Sequence, residues 1–206
     1  MTIMFFKQIK HRGDNFSYII ADESTKEAAV VDPSFNADVI TQTLMTQGLN
    51  AKYIIATHHH SDHTADNENL KSRFNAKIVA HKTSYIKKDI SVEDGDTVEI
   101  GKVTIRVIHT PGHTPDSICL LTDGKLLTGD TLFVGECGRT DLPDGSAEDM
   151  YHSLFEKLVK LGDKTEVYPG HDYGSAPQST IGNEKKTNYV LEKRTLQEFI
   201  EFMRTP

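Results

Sequence analysis

The sequence predicts an α+β fold, a sandwich of two β-sheets packed face to face with helices on the outside. Three observations carry this. Short apolar runs recur from Phe5 to Tyr168, most bounded by Gly, Asp or Pro, as strands are. Helical patterns are fewer, and each keeps its apolar residues on one stripe. Strands early and late in the chain, with helices between them, bury their apolar faces by stacking sheet on sheet beneath a helical cover.

The elements follow in order. Phe5–Ile9, Phe16–Ala21 and Ala28–Val31 read as strands. Ala37–Gln47 has helical periodicity. The apolar stretch Tyr53–Thr57 is a strand, Thr64–Phe74 a polar helix and Lys77–Ala80 a strand. Val103–His109, Ile118–Thr122 and Lys125–Thr128 are three further strands. Asp123-Gly124 joins the last two as a hairpin turn, because Gly accepts φ > 0. Ala147–Leu161 is a helix, with Ser146 at the N-cap position and Asp149 three residues on. Met150, Leu154, Leu158 and Leu161 form its apolar stripe, and Gly162 ends it. Glu166–Tyr168 is a strand, and Glu192–Met203 a last helix with Leu196, Phe199, Ile200 and Met203 on one face. Such a stripe is read as core. With no linker or low-complexity break, residues 1–206 are expected to form one domain.

At 206 residues and 37% hydrophobic, the chain can bury a core of that size. A formal net charge of -7 with no basic cluster argues against a nucleic-acid partner; Lys87-Lys88 and Lys185-Lys186 are too short to count. The first residues, Met1 to Phe6, are too short for a signal-peptide apolar region, and no apolar run approaches the roughly 20 residues of a membrane span. Of the two cysteines, Cys119 reads as a small core residue and Cys137 lies in a loop. A disulfide between them stays open, but a reducing cytoplasm is the simpler context and is the expected location.

The densest chemistry lies in Thr57-His58-His59-His60-Ser61-Asp62-His63. Side chains two apart on an extended backbone point the same way, so His58 and His60 can reach one ion from a strand end. Asp62 and His63 follow where the chain turns helical and can be directed at a second ion. His59 points away and is left out. A three-histidine run alone is as compatible with a solvated loop as with a site. His113, Asp130 and His171 change this, because each follows a strand-like run and sits in a Gly-containing turn, where side chains are presented on a rigid edge. Seven candidates (His58, His60, Asp62, His63, His113, Asp130 and His171) are too many for one tetrahedral ion and fit two. A workable partition gives His58, His60 and His113 to one metal, and Asp62, His63 and His171 to the other, with Asp130 bridging. Imidazole and carboxylate donors without thiolate suit two divalent ions, zinc first, with iron or manganese as the other candidates. Such ions bring a bound water towards neutral pKa.

The pattern His58-x-His60-x-Asp62-His63, then His113, Asp130 and His171, resembles the metallo-β-lactamase superfamily from about Asn15 to about Asn188. The resemblance implies an αββα sandwich of two mixed sheets, with the metals at one edge. Two branches look similar. Glyoxalase II (hydroxyacylglutathione hydrolase) is suggested by Gly129-Asp130-Thr131-Leu132-Phe133, Cys137-Gly138-Arg139 and His171-Asp172-Tyr173. The persulfide dioxygenases are suggested by Gly138-Arg139-Thr140-Asp141 and Ser179-Thr180-Ile181. The second branch implies one Fe(II) held at the positions of His58, His113 and Asp130. The glyoxalase II resemblance makes Arg139 and Tyr173 the substrate contacts, Arg139 as a carboxylate clamp. A structural pairing of Arg139 with Asp141 or Asp144 stays open. Glyoxalase II also carries a further helical domain after the sandwich, whereas 35 residues follow His171 here.

The expected activity is hydrolysis of a hydroxyacylglutathione-type thioester by a metal-bound hydroxide, with Asp62 accepting the nucleophile's proton. The alternative is oxidation of glutathione persulfide. Either way the partner is a small thiol-derived molecule, with no nucleic acid and no membrane, and a homodimer stays open. Asp32 and Asp172 are read either as outer carboxylates holding a ligand imidazole or as turn residues. His109 is read as packed or surface, and His11, His81 and His152 as surface.

Overall fold

In the computed structural model, which describes residues 3–11 and 13–204, the apolar runs assemble into two six-stranded sheets. The first has the order β1 (Met4–Lys10), β2 (Phe16–Asp22), β3 (Glu27–Val31), β4 (Asn50–Ile55), β5 (Lys77–His81) and β6 (Ile90–Val92). Its first pairs are antiparallel, and β3 through β6 run parallel. The second sheet contains β7 (Thr97–Ile100), β8 (Val103–His109), β9 (Ile118–Thr122), β10 (Lys125–Gly129), β11 (Glu166–Pro169) and β12 (Ser179–Thr180). It is antiparallel except where β10 pairs parallel to β11. Both sheets are therefore mixed.

Two-residue alternation sorts the side chains into layers. From β2, Phe16, Tyr18 and Ile20 enter the core between the sheets, where they meet Ile105, Val107, Leu120 and Leu127. Ile19 and Ala21 point to the other face, beneath Ile40 and Leu44 of α1 (Ala37–Gln47) and Leu70 of α3 (Asn67–Phe74). The outer face of the second sheet, Ile108, Cys119, Leu126 and Val167, is covered by Met150, Leu154, Leu158, Val190 and Phe199. Helices thus cover both outer faces, the expected αββα arrangement.

The structure corrects several boundaries. The helix expected over 64–74 is split into α2 (Ser61–Thr64) and α3, which starts at Asn67. The one expected over 147–161 begins as α4 (Ala147–Tyr151), capped by Ser146 as expected. It then widens to π-type turns over His152–Lys157 and tightens to a 3₁₀ turn over Leu158–Lys160. The last helix, α6 (Leu196–Met203), starts four residues later than Glu192, behind a capping box of Thr195 and Glu198. β6, β7, β12 and α5 (Ile181–Thr187) were not anticipated. Asp123 and Gly124 both have positive φ, 43° and 75°, as the hairpin requires. Both cysteines are buried free thiols. Among the described residues no helix is long and apolar enough to cross a membrane.

Candidate metal centre

The parallel pairs place the site. Val31 is paired with Ile55, so the chain leaves β3 and β4 side by side, at Asp32 and at Thr57-His58. Gly129 is paired with Pro169, so Asp130 and His171 leave β10 and β11 together. The loop after β8 adds His113, and α2 adds Asp62 and His63. Each candidate ligand therefore stands in a loop that follows a strand or at the start of the short α2, and all seven converge.

They form two sets. His60 Nδ1 lies 3.1 Å from His58 Nε2 and 3.0 Å from His113 Nε2. His63 Nε2 lies 3.1 Å from His171 Nε2, and Asp62 Oδ2 is 3.5 and 3.4 Å from these two atoms. Asp130 lies between the sets. Its Oδ2 is 3.5 Å from His113 Nε2 and 3.3 Å from His171 Nε2, and its Oδ1 is 3.4 Å from His63 Nε2. Donors about 2.0–2.2 Å from a tetrahedral ion stand about 3.4 Å apart, close to these separations.

Proton bookkeeping tests whether a cation fits. Asp32 Oδ1 accepts from the Thr57 backbone N–H at 2.7 Å, and Oδ2 accepts from the Thr57 hydroxyl at 2.6 Å. With its hydrogen used, Thr57 Oγ1 can only accept from His58 Nδ1–H, 3.1 Å away. Asp32 Oδ2 also accepts from His63 Nδ1–H at 3.1 Å. His113 Nδ1–H donates to the Arg139 carbonyl at 2.8 Å, and His171 Nδ1–H to Asp14 at 3.3 Å. With each outer nitrogen carrying a hydrogen, each of these rings in its neutral form turns an Nε2 lone pair inward. Those lone pairs face one another and the Asp62 and Asp130 carboxylates, and buried Asp130 Oδ1 has no hydrogen-bond partner. Packed acceptors need a positive charge among them, which is the donor chemistry of a divalent metal site. His/Asp groups here could therefore hold metal ions.

The electrostatics agree. Burial works to lower His63, but Asp130 and Asp32 outweigh it and raise its pKa well above the usual value. Burial opposes charge on His171 too, yet hydrogen bonds to Asp130 and Asp62 raise it to about 9. The His171 bond holds Asp62 well below the usual carboxylate range. Burial and neighbouring imidazoles lower His58. The carboxylates thus draw positive charge to the His63–His171 side.

Gly170 is needed for close approach. A β-carbon there would stand 2.4 Å from Asp130 Oδ1 and 2.9 Å from His63 Cε1.

Beside the donors lies a cleft of about 440 Å³, bordered by His113, Asp130, Phe133, Arg139 and Tyr173 and walled by Tyr189, Phe202 and Met203 from the C-terminal segment. Tyr173 stacks on His171, ring centroids 4.7 Å apart and 6° from parallel, and is 56% exposed. Arg139 clamps Asp141 through Nε and Nη2 at 2.6 and 2.7 Å, so the pairing with Asp141 is the one formed; Asp144 instead meets the Tyr85 hydroxyl.

Of the outer residues, Asp32 bonds the imidazole of His63, one of the candidate donors. Asp172 does not: it pairs with Lys10 at 2.5 Å, and the carboxylate on His171 is Asp14. His11 and His81 are buried rather than on the surface. His11 bonds Ser17, and His81 stacks on His109 beneath the loop that carries His113. His152 stays half-exposed beside Glu156. Sequence reasoning missed Asn15, whose amide holds Asp62, along with Asp14 and Thr57. Nothing local marks these common polar residues; only the tertiary pairing of Asn15 with His171 brings the first two to the site.

A two-sheet sandwich with His and Asp donors gathered where strands of both sheets end is the arrangement of a metal-dependent superfamily. The chain belongs to the metallo-beta-lactamase superfamily, whose family profile matches residues 12–87 and 83–171. That superfamily includes hydrolases and a dioxygenase. The chain is 33% identical over 192 residues to the human mitochondrial persulfide dioxygenase ETHE1, covering 91% of this chain and 75% of that protein. It is 40% identical over 169 residues to the cytoplasmic hydroxyacylglutathione hydrolase of Arabidopsis thaliana, covering 78% of this chain and 64% of that one. The crystal structure of ETHE1 from Myxococcus xanthus superimposes with a TM-score of 0.94 at 35% identity, covering 98% of this chain and 91% of that one.

Proposed function

We propose that the protein is a persulfide dioxygenase, oxidising the terminal sulfur of a small-thiol persulfide: RSSH + O₂ + H₂O gives RSH, sulfite and two protons. The observation that supports it is the cleft wall. Tyr189, Phe202 and Met203 line one side of the cleft beside the donors. The fold also superimposes on that of ETHE1 from Myxococcus xanthus over 98% of this chain; by sequence, human ETHE1 covers 91% of the chain and a probable hydroxyacylglutathione hydrolase of Schizosaccharomyces pombe 94%.

His58, His113 and Asp130 would hold iron, two imidazoles and a carboxylate leaving positions open, and bound iron supplies the chemistry that activates O₂. The residues themselves do the rest. Asp32, through Thr57, keeps the proton of His58 on the outer nitrogen, and the Arg139 carbonyl does the same for His113. The Arg139 nitrogen not engaged with Asp141, together with the Tyr173 hydroxyl, meets the polar end of the thiol carrier. The apolar wall of Phe202 and Met203 keeps water from the reacting sulfur.

A second reading is thioester hydrolysis of the hydroxyacylglutathione type. The complete second set favours it, since Asp62, His63 and His171 around Asp130 would hold a second ion and Asp62 would accept the proton of the attacking water. Metal content of protein purified from its own cell, with both assays, separates the readings. One iron per chain with O₂ uptake on glutathione persulfide supports the dioxygenase. Two metals with lactoylglutathione turnover and no O₂ uptake overturn it.

A further inference from the structure

His59 stands between two donors, yet its ring turns away from them. Its Nδ1 lies 2.7 Å from Asp116 Oδ1, and because a carboxylate only accepts, the imidazole donates. Asp116 is 2% exposed and lies in the loop that presents His113. It has no part in the reaction above. We propose that Asp116 is a positioning residue: through His59 it ties the loop carrying His58 and His60 to the loop carrying His113, fixing the first donor set independently of the second.

The surroundings fit that role. The two loops are joined at their base by one backbone bond, Ile118 N–H to the Thr57 carbonyl at 2.8 Å. His59–Asp116 joins them further out, where the donors are. The His113 loop is also pinned from behind. The Pro115 carbonyl accepts from His109 Nε2–H at 2.9 Å and from the Thr83 hydroxyl at 3.3 Å, and the His109 ring is stacked on His81. With that loop fixed, the His59 bond sets the other loop against it. The separations of 3.0 and 3.1 Å around His60 Nδ1 depend on this register. The second set has other supports: Asn15 on Asp62, Asp32 on His63 and Asp14 on His171.

The inference rests on the metal reading but holds for either reaction, because both use His58 and His113. It is tested by zinc titration of metal-free protein by calorimetry, in two backgrounds. His171→Ala leaves the first set intact, and His113→Ala leaves the second. Asp116→Ala is expected to weaken zinc binding about 10- to 100-fold in the first background and to leave it unchanged in the second. His59→Ala, at a partly exposed position, should do the same, which keeps the test sound if Asp116→Ala folds poorly. Asp116→Asn keeps an acceptor oxygen for His59 and should restore affinity. Equal losses in both backgrounds, or no loss in the first, overturn the proposal. A parent protein that binds no zinc in either background overturns the metal reading instead.

Discussion

Replacing Asp32 by asparagine exchanges one oxygen for an NH₂ group, and the geometry dictates which protons must move. Asp32 Oδ1 accepts from the Thr57 backbone N–H, a donor that cannot change, so the asparagine oxygen must stay there. The NH₂ group then takes the place of Oδ2 and faces the Thr57 hydroxyl and His63 Nδ1. Two donors cannot face each other. His63 must accept at Nδ1 and carry its hydrogen on Nε2. The Thr57 hydroxyl, now accepting from asparagine, turns its hydrogen to His58 Nδ1, which moves that ring's hydrogen to Nε2 as well. Both metal-facing lone pairs are lost, one in each donor set. Outer-shell changes of this kind cost about 10- to 100-fold in metal affinity per ligand. That is about 1.4–2.7 kcal/mol each, so the pair together should lose about 10²- to 10⁴-fold. The number of hydrogen bonds is conserved, so the fold should lose only about 1 kcal/mol. Calorimetric zinc titration reads the first effect, urea unfolding of the metal-free protein the second. Asp32→Asn with zinc affinity within twofold of the parent would refute the tautomer argument.

Two further predictions test the surroundings. Gly170→Ala drives a β-carbon to 2.4 Å from Asp130 Oδ1. It should cost about 1–3 kcal/mol in urea unfolding and at least tenfold in zinc affinity; a variant matching the parent in both would show that the turn yields freely. Burial and the stacked His109 lower His81 to about 4. The unfolded chain therefore binds a proton there that the folded one does not. The stability held by neutral His81 is fully present above about pH 6.5 and is lost as pH falls towards 4, by at most about 3 kcal/mol. His81→Phe should lose less stability than the parent between pH 7 and 4.5 in paired urea titrations, and identical losses would remove His81 from the account.

What the sequence disclosed depended on how local the cause was. The bounds of α1, Ala37–Gln47, were legible because its stripe is regular and Gly48 ends it in the left-handed region at φ 63°. β6 and β12 are three and two residues long, and β7 alternates over only four. Such segments become strands only because a neighbouring edge accepts them. The start of α6 was available, since Thr195-Leu196-Gln197-Glu198 is a capping-box pattern, but the apolar stripe outweighed it. The stripe after Met150 is equally at home on wider turns, so it could not reveal the π-type segment. The seven donors stood out by type and spacing. Their holders did not: Asp14 and Thr57 acquire roles, and Asp116 its proposed one, only when segments 25 to 157 residues apart come together. Asp32 could not be assigned because a turn residue and an imidazole anchor look alike until His63 is beside it.

The donors are far apart along the chain, His58 and His171 being separated by 113 residues, and they meet only when both sheets have docked. A ribosome therefore releases His58, His60, His63 and His113 well before their last companion emerges. Until then the early imidazoles are loose chelators exposed to whatever metals the cell offers. Which ion the donors would then hold is expected to depend on the order of synthesis and closure as well as on intrinsic preference. Recombinant protein made in metal-rich medium should then record its growth conditions in its metal content.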